Sequence, residues 1–136
     1  MPSDRSQSES EYESPFAALL DMRRIPGSDG VGRASMTIQD KHRQSSGMVQ
    51  GGILVTLADY AFHIAVQSAL PPGHNAVTVE LKVNFIAPAR DGELTATARL
   101  VSTGHRIVVG EVDVTDQDQT LIARCLGTFL VTAPAT

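Results

Sequence analysis

The sequence predicts a single α+β domain in which one long helix precedes a run of antiparallel strands. Residues 51–70 hold an almost unbroken apolar segment, enough for about five turns of helix. Before it, residues 31–39 alternate apolar and polar side chains. After it come four strand-like runs separated by Gly, Pro and Asp turns, with no second helix between them. A helix followed by consecutive strands gives an α+β layer, whereas alternation would give βαβ units and a parallel sheet. With 136 residues, 42% of them apolar, the chain is about one domain with a real core.

Taken in order, residues 1–14 are Ser-rich and acidic with little to bury, which predicts a disordered tail ahead of a folded domain at 15–136. Residues 15–24, PFAALLDMRR, read as a short helix with Pro15 in its first turn. Phe16, Leu19 and Leu20 share one side, and Arg23 and Arg24 sit near its C-terminal end. PGSDG stops it. In the first strand Ala34, Met36 and Ile38 alternate with Arg33, Ser35 and Thr37. PPGHN ends the long helix. The next strand, 76–85, has Val77, Val79, Leu81, Val83 and Phe85 on one face against Thr78, Glu80, Lys82 and Asn84 on the other. Strands at 93–102, 107–115 and 120–132 complete an antiparallel meander.

Composition narrows the function classes. Eleven Lys and Arg against 15 Asp and Glu give a net charge of −4, so the overall field repels a polyanion and no nucleic-acid partner is expected. The single cysteine, Cys125, allows no internal disulfide, and the four histidines lack a zinc-type ligand spacing, so no metal site is expected. The first residues contain no apolar signal-peptide stretch, and the apolar run of the helix is broken by Asp59 and His63. A soluble cytoplasmic protein without a membrane span is expected.

The informative anomaly is the polar stripe of the long helix. Thr56, Asp59, His63 and Gln67 recur at steps of three and four above Gly52, while nearly every other position is apolar. This pattern fits either the wet face of an amphipathic helix or the lining of a cleft. Burying an unpaired carboxylate costs several kcal/mol, so Asp59 is wet, paired or functional, and His63 one turn on is a possible partner. At the other end, Gly51 and Gly52 open the helix, where unpaired N–H groups and the positive end of its dipole make an oxyanion-binding position that glycine leaves accessible.

SSGMVQGGILVTLADYAF, followed by AVTVELKVNFIAPARDGELTATARLVSTGHR and LIARCLGTFLV, resembles the hotdog-fold acyl-CoA thioesterases of the phenylacetate-pathway type, in the 4-hydroxybenzoyl-CoA thioesterase superfamily. The resemblance covers about residues 30–132. It implies a hotdog fold, a long helix wrapped by a curved antiparallel sheet, in homodimers that often pair into tetramers. It also implies a substrate, an acyl-CoA, whose coenzyme is part of the substrate, with no separate cofactor. By position, the family's oxyanion glycine falls on Gly51 and its catalytic acid on Asp59. Its preceding amide falls on Gln44, and its Ser or Thr at the start of the following strand falls on Thr78. One departure stands before the glycine pair, where the family commonly has His and this chain has Gln50, which hydrogen-bonds but exchanges no proton at neutral pH.

Gly51 and Asp59 lie eight residues apart on one helix, about 12 Å along its axis at roughly 1.5 Å per residue. Reacting atoms must approach within about 3–3.5 Å, so both cannot easily serve one substrate from one helix. An isologous dimer would bring Gly51 of one copy to Asp59 of the other and create two equivalent sites. The expected reaction is thioester hydrolysis of a small aryl- or medium-chain acyl-CoA, with the Gly51 amide stabilising the oxyanion and Asp59 acting as general base or nucleophile. Gln44 and Thr78 would orient the water or the carboxylate, and Thr56 and His63 would hold Asp59, with Gln50 and Gly52 at the substrate. For the coenzyme phosphates, Arg90 and Arg106 in turns are preferred over Lys41 and Arg43. How Tyr60 and Phe62 face the cleft determines its shape. Cys125 is expected in the core, and His42 and His74 have no partner at a triad spacing. A non-catalytic acyl-CoA or acyl-carrier binding module and an enoyl-CoA hydratase remain alternatives on the same fold.

Overall fold

The computed structural model describes residues 11–134. In chain order its elements are α1 (Pro15–Leu19), β1 (Arg23–Ser28), β2 (Val31–Thr37), a 3-10 turn (Asp40–His42), α2 (Gly51–Ala69), β3 (Asn75–Phe85), β4 (Glu93–Thr103), β5 (Ile107–Asp116) and β6 (Leu121–Thr132). The six strands form one antiparallel sheet in the order β1-β2-β4-β5-β6-β3, and α2 lies across its inner face. This is the expected α+β hotdog architecture with an added short N-terminal helix. By length and composition α2 could cross a membrane, but here its buried residues, Leu54 to Val66, pack on the sheet.

Close approach of helix and sheet depends on absent side chains. Phe62, fully buried, sits over Gly110 of β5 and Gly127 of β6, and a Cβ on either glycine would come within 2.8 Å of its ring. Phe129 stacks beside it with ring centroids 4.4 Å apart. Phe62 is therefore a core residue and not the cleft residue expected, while Tyr60 on the other side of α2 is only partly buried.

Two expectations about elements are corrected. The first helix ends at Leu19, and Arg23 and Arg24 begin an edge strand instead of closing the helix. Asp29 and Gly30, at φ 53° and 80°, form the two-residue turn that folds β1 back on β2, with Ser28 opposite Val31. Such a turn needs left-handed backbone at both central positions, which Asp-Gly adopts readily. Pro26 is tolerated because β1 is an edge strand and its N–H side need not pair.

The second correction concerns β3. Its alternating apolar face is not one buried surface, since Val77, Val79 and Phe85 are each more than half exposed. The register against β6 shifts between Thr78 and Glu80, Thr78 facing Phe129 and Glu80 facing Thr128, so Val79 is the extra residue of a β-bulge. Every side chain ahead of the bulge is thereby turned over relative to simple alternation. Thr78, expected on the polar face, points inward with Leu81 and Val83.

Of the expected tail, residues 1–10 lie outside the described residues. Glu11–Ser14 make specific contacts: Tyr12 packs against the core, Glu11 pairs with Arg23, and the Ser14 hydroxyl accepts from the Ala17 N–H at 3.2 Å to cap α1.

Candidate active site

Helical spacing puts Asp59 on the side of α2 that faces β3, and the bulge turns Thr78 toward it. The Thr78 hydroxyl donates to Asp59 Oδ1 at 2.7 Å. Asp59 is half-buried, and among the described residues Thr78 is its one hydrogen-bond partner. The pair opens into a cleft of about 290 Å³, with Phe16, Val55, Tyr60 and Leu81 as its apolar wall and Thr56 beside the acid.

Gly51 belongs to a different cleft, of about 400 Å³, bordered by Met48, Leu54, Phe85, Ile86 and Pro88. At the start of α2 the first internal bonds are from Ile53 and Leu54 N–H to the Gln50 carbonyl, so the N–H groups of Gly51 and Gly52 have no backbone partner among the described residues. A Cβ on Gly51 would meet the Phe85 ring at 3.3 Å, whereas one on Gly52 would meet nothing within 4 Å. Asp59 and the Gly51 N–H thus lie in separate clefts of one chain, the two halves that the sequence reading expects a dimer to bring together.

The remaining expected residues divide between these half-sites and other duties. Gln44 Oε1 accepts from the Ser46 N–H, fixing the turn before α2, and the Gln44 N–H donates to Met48 O at 2.8 Å, next to the Gly51 cleft. Gln50 is exposed and its side chain caps nothing, although its N–H anchors the helix start on His42 O at 2.8 Å. Thr56 does not hold Asp59, because its hydroxyl donates to Gly52 O at 2.9 Å, a bond within the helix turn. Neither does His63, whose Nε2 meets Glu13 Oε1 at 3.0 Å.

The two favoured arginines do not meet. Arg90 lies before β4, donating from Nη1 to Ser46 O at 3.3 Å, and Arg106 lies after it in the β4–β5 turn. The 11 residues of β4 between them span about 35 Å at roughly 3.4 Å per residue. Arg90 alone adjoins the Gly51 cleft, through Ala89. Arg43 donates to Arg90 O at 2.9 Å and pairs with Asp40 and Asp91. Lys41 pairs with Asp21, and that hydrogen bond, with a second from Gln39, holds the Asp21 carboxyl below its ordinary range.

Cys125 is a core residue, 2% exposed, and burial pushes its thiol up to about 11, with the Asp113 charge adding to the effect. His42 is fully buried and structural. Its Nδ1 accepts from the Gln39 N–H at 2.9 Å, so the proton sits on Nε2, which donates to Leu20 O at 2.8 Å. No group of three His, Cys, Asp or Glu able to hold a metal occurs among the described residues. The sequence reading missed Phe16, Val55 and Leu81 as cleft residues, since apolar side chains on regular elements carry no signal separating cleft wall from core.

The model of the thioesterase superfamily matches residues 46–123. The chain belongs to the thioesterase superfamily. Among similar proteins, SSO1253 of Saccharolobus solfataricus is 34% identical over 102 residues, covering 75% of this chain and 67% of that one. The 1,4-dihydroxy-2-naphthoyl-CoA hydrolase of Listeria monocytogenes is 30% identical over 98 residues, covering 71% and 80% respectively. The structure of the E. coli PaaI protein from the phenylacetic acid degradation operon superposes with a TM-score of 0.84 at 26% identity, covering 97% of this chain and 92% of that one. The matched span of this thioesterase runs from the turn before Gly51 through β5 into β6, and so includes Gly51, Asp59 and Thr78 but not Gln44 or the Phe16 wall.

Proposed function

We propose that this thioesterase hydrolyses a small aryl- or medium-chain acyl-CoA at a site completed by a second copy of the chain. The observation that carries the reading is the Thr78–Asp59 hydrogen bond inside a largely apolar cleft, on a helix whose N-terminal N–H groups are free. The separation of the acid from those N–H groups supports assembly across a two-fold axis. So does β3, an edge strand paired on one side only, with exposed Val77, Val79 and Phe85.

In this site the thioester carbonyl oxygen accepts from the Gly51 N–H of one copy, where the helix dipole favours the developing negative charge. Asp59 of the other copy acts on the carbonyl carbon from its own cleft. As a general base it takes a proton from water while the water oxygen attacks, and collapse of the tetrahedral intermediate expels the coenzyme thiolate, which is then protonated. As a nucleophile it forms a mixed anhydride that water opens, with the same products. Thr78 occupies Oδ1 and leaves Oδ2 for this step. Gln44 orients the water through its side-chain amide, and Arg90 meets a coenzyme phosphate beyond the Gly51 cleft.

Incubating the purified protein with a panel of acyl-CoAs and measuring free thiol tests the reading. Thiol release that disappears in Asp59→Asn is expected. Binding without release would point to an acyl-CoA-binding module, and hydration of an enoyl-CoA without release to a hydratase.

A further inference from the structure

The segment ahead of α1 is fastened to the polar stripe of α2. Glu13 Oε1 lies 3.0 Å from His63 Nε2, and the two side chains retain 19% and 26% of their exposure. The Ser14 hydroxyl lies 3.1 Å from the Tyr60 hydroxyl. Two residues on, Phe16 forms part of the cleft that holds Asp59. Positions 13, 14 and 16 therefore track down α2 from His63 through Tyr60 to the acid, so this short segment closes one side of the site.

Phe16 is 55% exposed, so its ring adds little to the core, and what it does in the fold is wall the cleft. The two half-sites also differ in what surrounds them. The Gly51 cleft ends at Pro88 and Ala89, next in the chain to Arg90, a cation placed to suit a phosphate of a coenzyme. The Asp59 cleft has no cation among its lining residues and is mostly apolar, which suits an acyl group. At about 290 Å³ it lies at the small end of the ~300–1,000 Å³ range of ligand pockets.

We propose that Phe16 is a specificity-determining residue that limits the size of the acyl group, and that the Glu13–His63 contact is a positioning device holding Phe16 in place. This deepens the thioesterase reading and rests on it. A pocket wall built on five residues of helix has few contacts of its own to fix it, so the polar contacts just before it determine how sharply acyl length is discriminated.

The test compares wild type, Phe16→Ala and Phe16→Tyr on straight-chain acyl-CoAs from butanoyl to hexadecanoyl. Phe16→Ala should raise the dodecanoyl to hexanoyl ratio of kcat/KM by at least about tenfold, through a lower KM for the longer chain, since a few methylenes in an apolar pocket discriminate by that much. Phe16→Tyr should keep the wild-type order of preference. Glu13→Ala and His63→Ala should each shift the ratio the same way by less, and the double variant should do no more than the larger single one. In an Asp59→Asn background, dissociation constants for the same acyl-CoAs should show the Phe16→Ala shift without turnover. If wild type releases thiol and neither profile moves with Phe16→Ala, the inference fails alone. If thiol is never released but the binding profile shifts, hydrolysis fails and Phe16 as the acyl wall stands. Absence of both binding and release overturns the two together.

Discussion

Thr78 reaches Asp59, at 2.7 Å between hydroxyl and Oδ1, because Val79 is an extra residue in β3. Without the bulge, strict alternation would send Thr78 to the outer face with Glu80, and the acid would face a valine. β-bulges commonly re-aim a side chain beside a functional site, and here the re-aimed group is the one that fixes a carboxylate on a neighbouring element.

Thr78→Val should therefore lower kcat by about tenfold to a hundredfold, the usual cost of a slightly misplaced catalytic group. Because the bond is partly solvated, its loss should cost no more than about 1 kcal/mol of stability. Thr78→Ser should restore most of the rate. Steady-state kinetics with a thermal melt on each variant checks this, and a Val variant at full rate would remove Thr78 from the site.

Asp59→Asn keeps an oxygen for the Thr78 hydroxyl and nearly the same volume, so the melting temperature and oligomeric state should stay close to wild type. Turnover should fall by about 10²–10⁴-fold or more, the range expected for loss of a general base. Mass spectrometry during turnover distinguishes its two possible roles, since an acyl adduct on Asp59 appears only if the carboxylate attacks directly.

How far the sequence revealed this site can be traced residue by residue. The long helix, its glycine start and its acid were legible, because a polar residue in an otherwise apolar helix departs from the local pattern. Thr78 was found by resemblance, but its inward orientation was not, because a bulge leaves no mark in a stretch that alternates cleanly. β1 is hidden in the sequence because Arg23 and Arg24 suit a helix C-terminus, and Asp29-Gly30 within PGSDG reads as a helix stop as readily as a hairpin turn. The partners of Thr56 and His63 were missed for another reason: His63 bonds to Glu13, fifty residues earlier in the chain, and sequence spacing along α2 is silent about that contact.

Cys125 gives a prediction about alkaline stability. Its thiol ionises near 9 when free and near 11 in the fold, so between these values the unfolded chain has lost a proton that the native chain keeps. Unfolding then releases a proton, and stability must fall as pH rises through that window, by on the order of 2 kcal/mol at its upper end. Below pH 9 the residue contributes no slope. Denaturant titrations of wild type and Cys125→Ala from pH 8 to pH 11 should give a difference curve that is flat at first and then falls. The native thiol should also resist a disulfide reagent at pH 8 and react once the chain is unfolded.

The sharpest prediction concerns the two half-sites. Gly51 is the first residue of α2, where proline is well accepted, and Gln50 before it has φ −59° and ψ 134°, a conformation that a following proline favours. Gly51→Pro therefore removes the oxyanion N–H while preserving the helix, apart from a small adjustment of the exposed Phe85 ring. Alone it should lower kcat by about 10²–10³-fold. Mixed with Asp59→Asn under conditions that exchange subunits, it should recover activity. In the mixed dimer one site combines both defects, while the other combines an intact Gly51 from one chain with an intact Asp59 from its partner. Random reassortment makes about half of the dimers mixed, each with one working site, so about a quarter of wild-type activity should return. If the glycine and the acid of one chain served the same substrate, every site in the mixture would carry a defect and no activity would reappear.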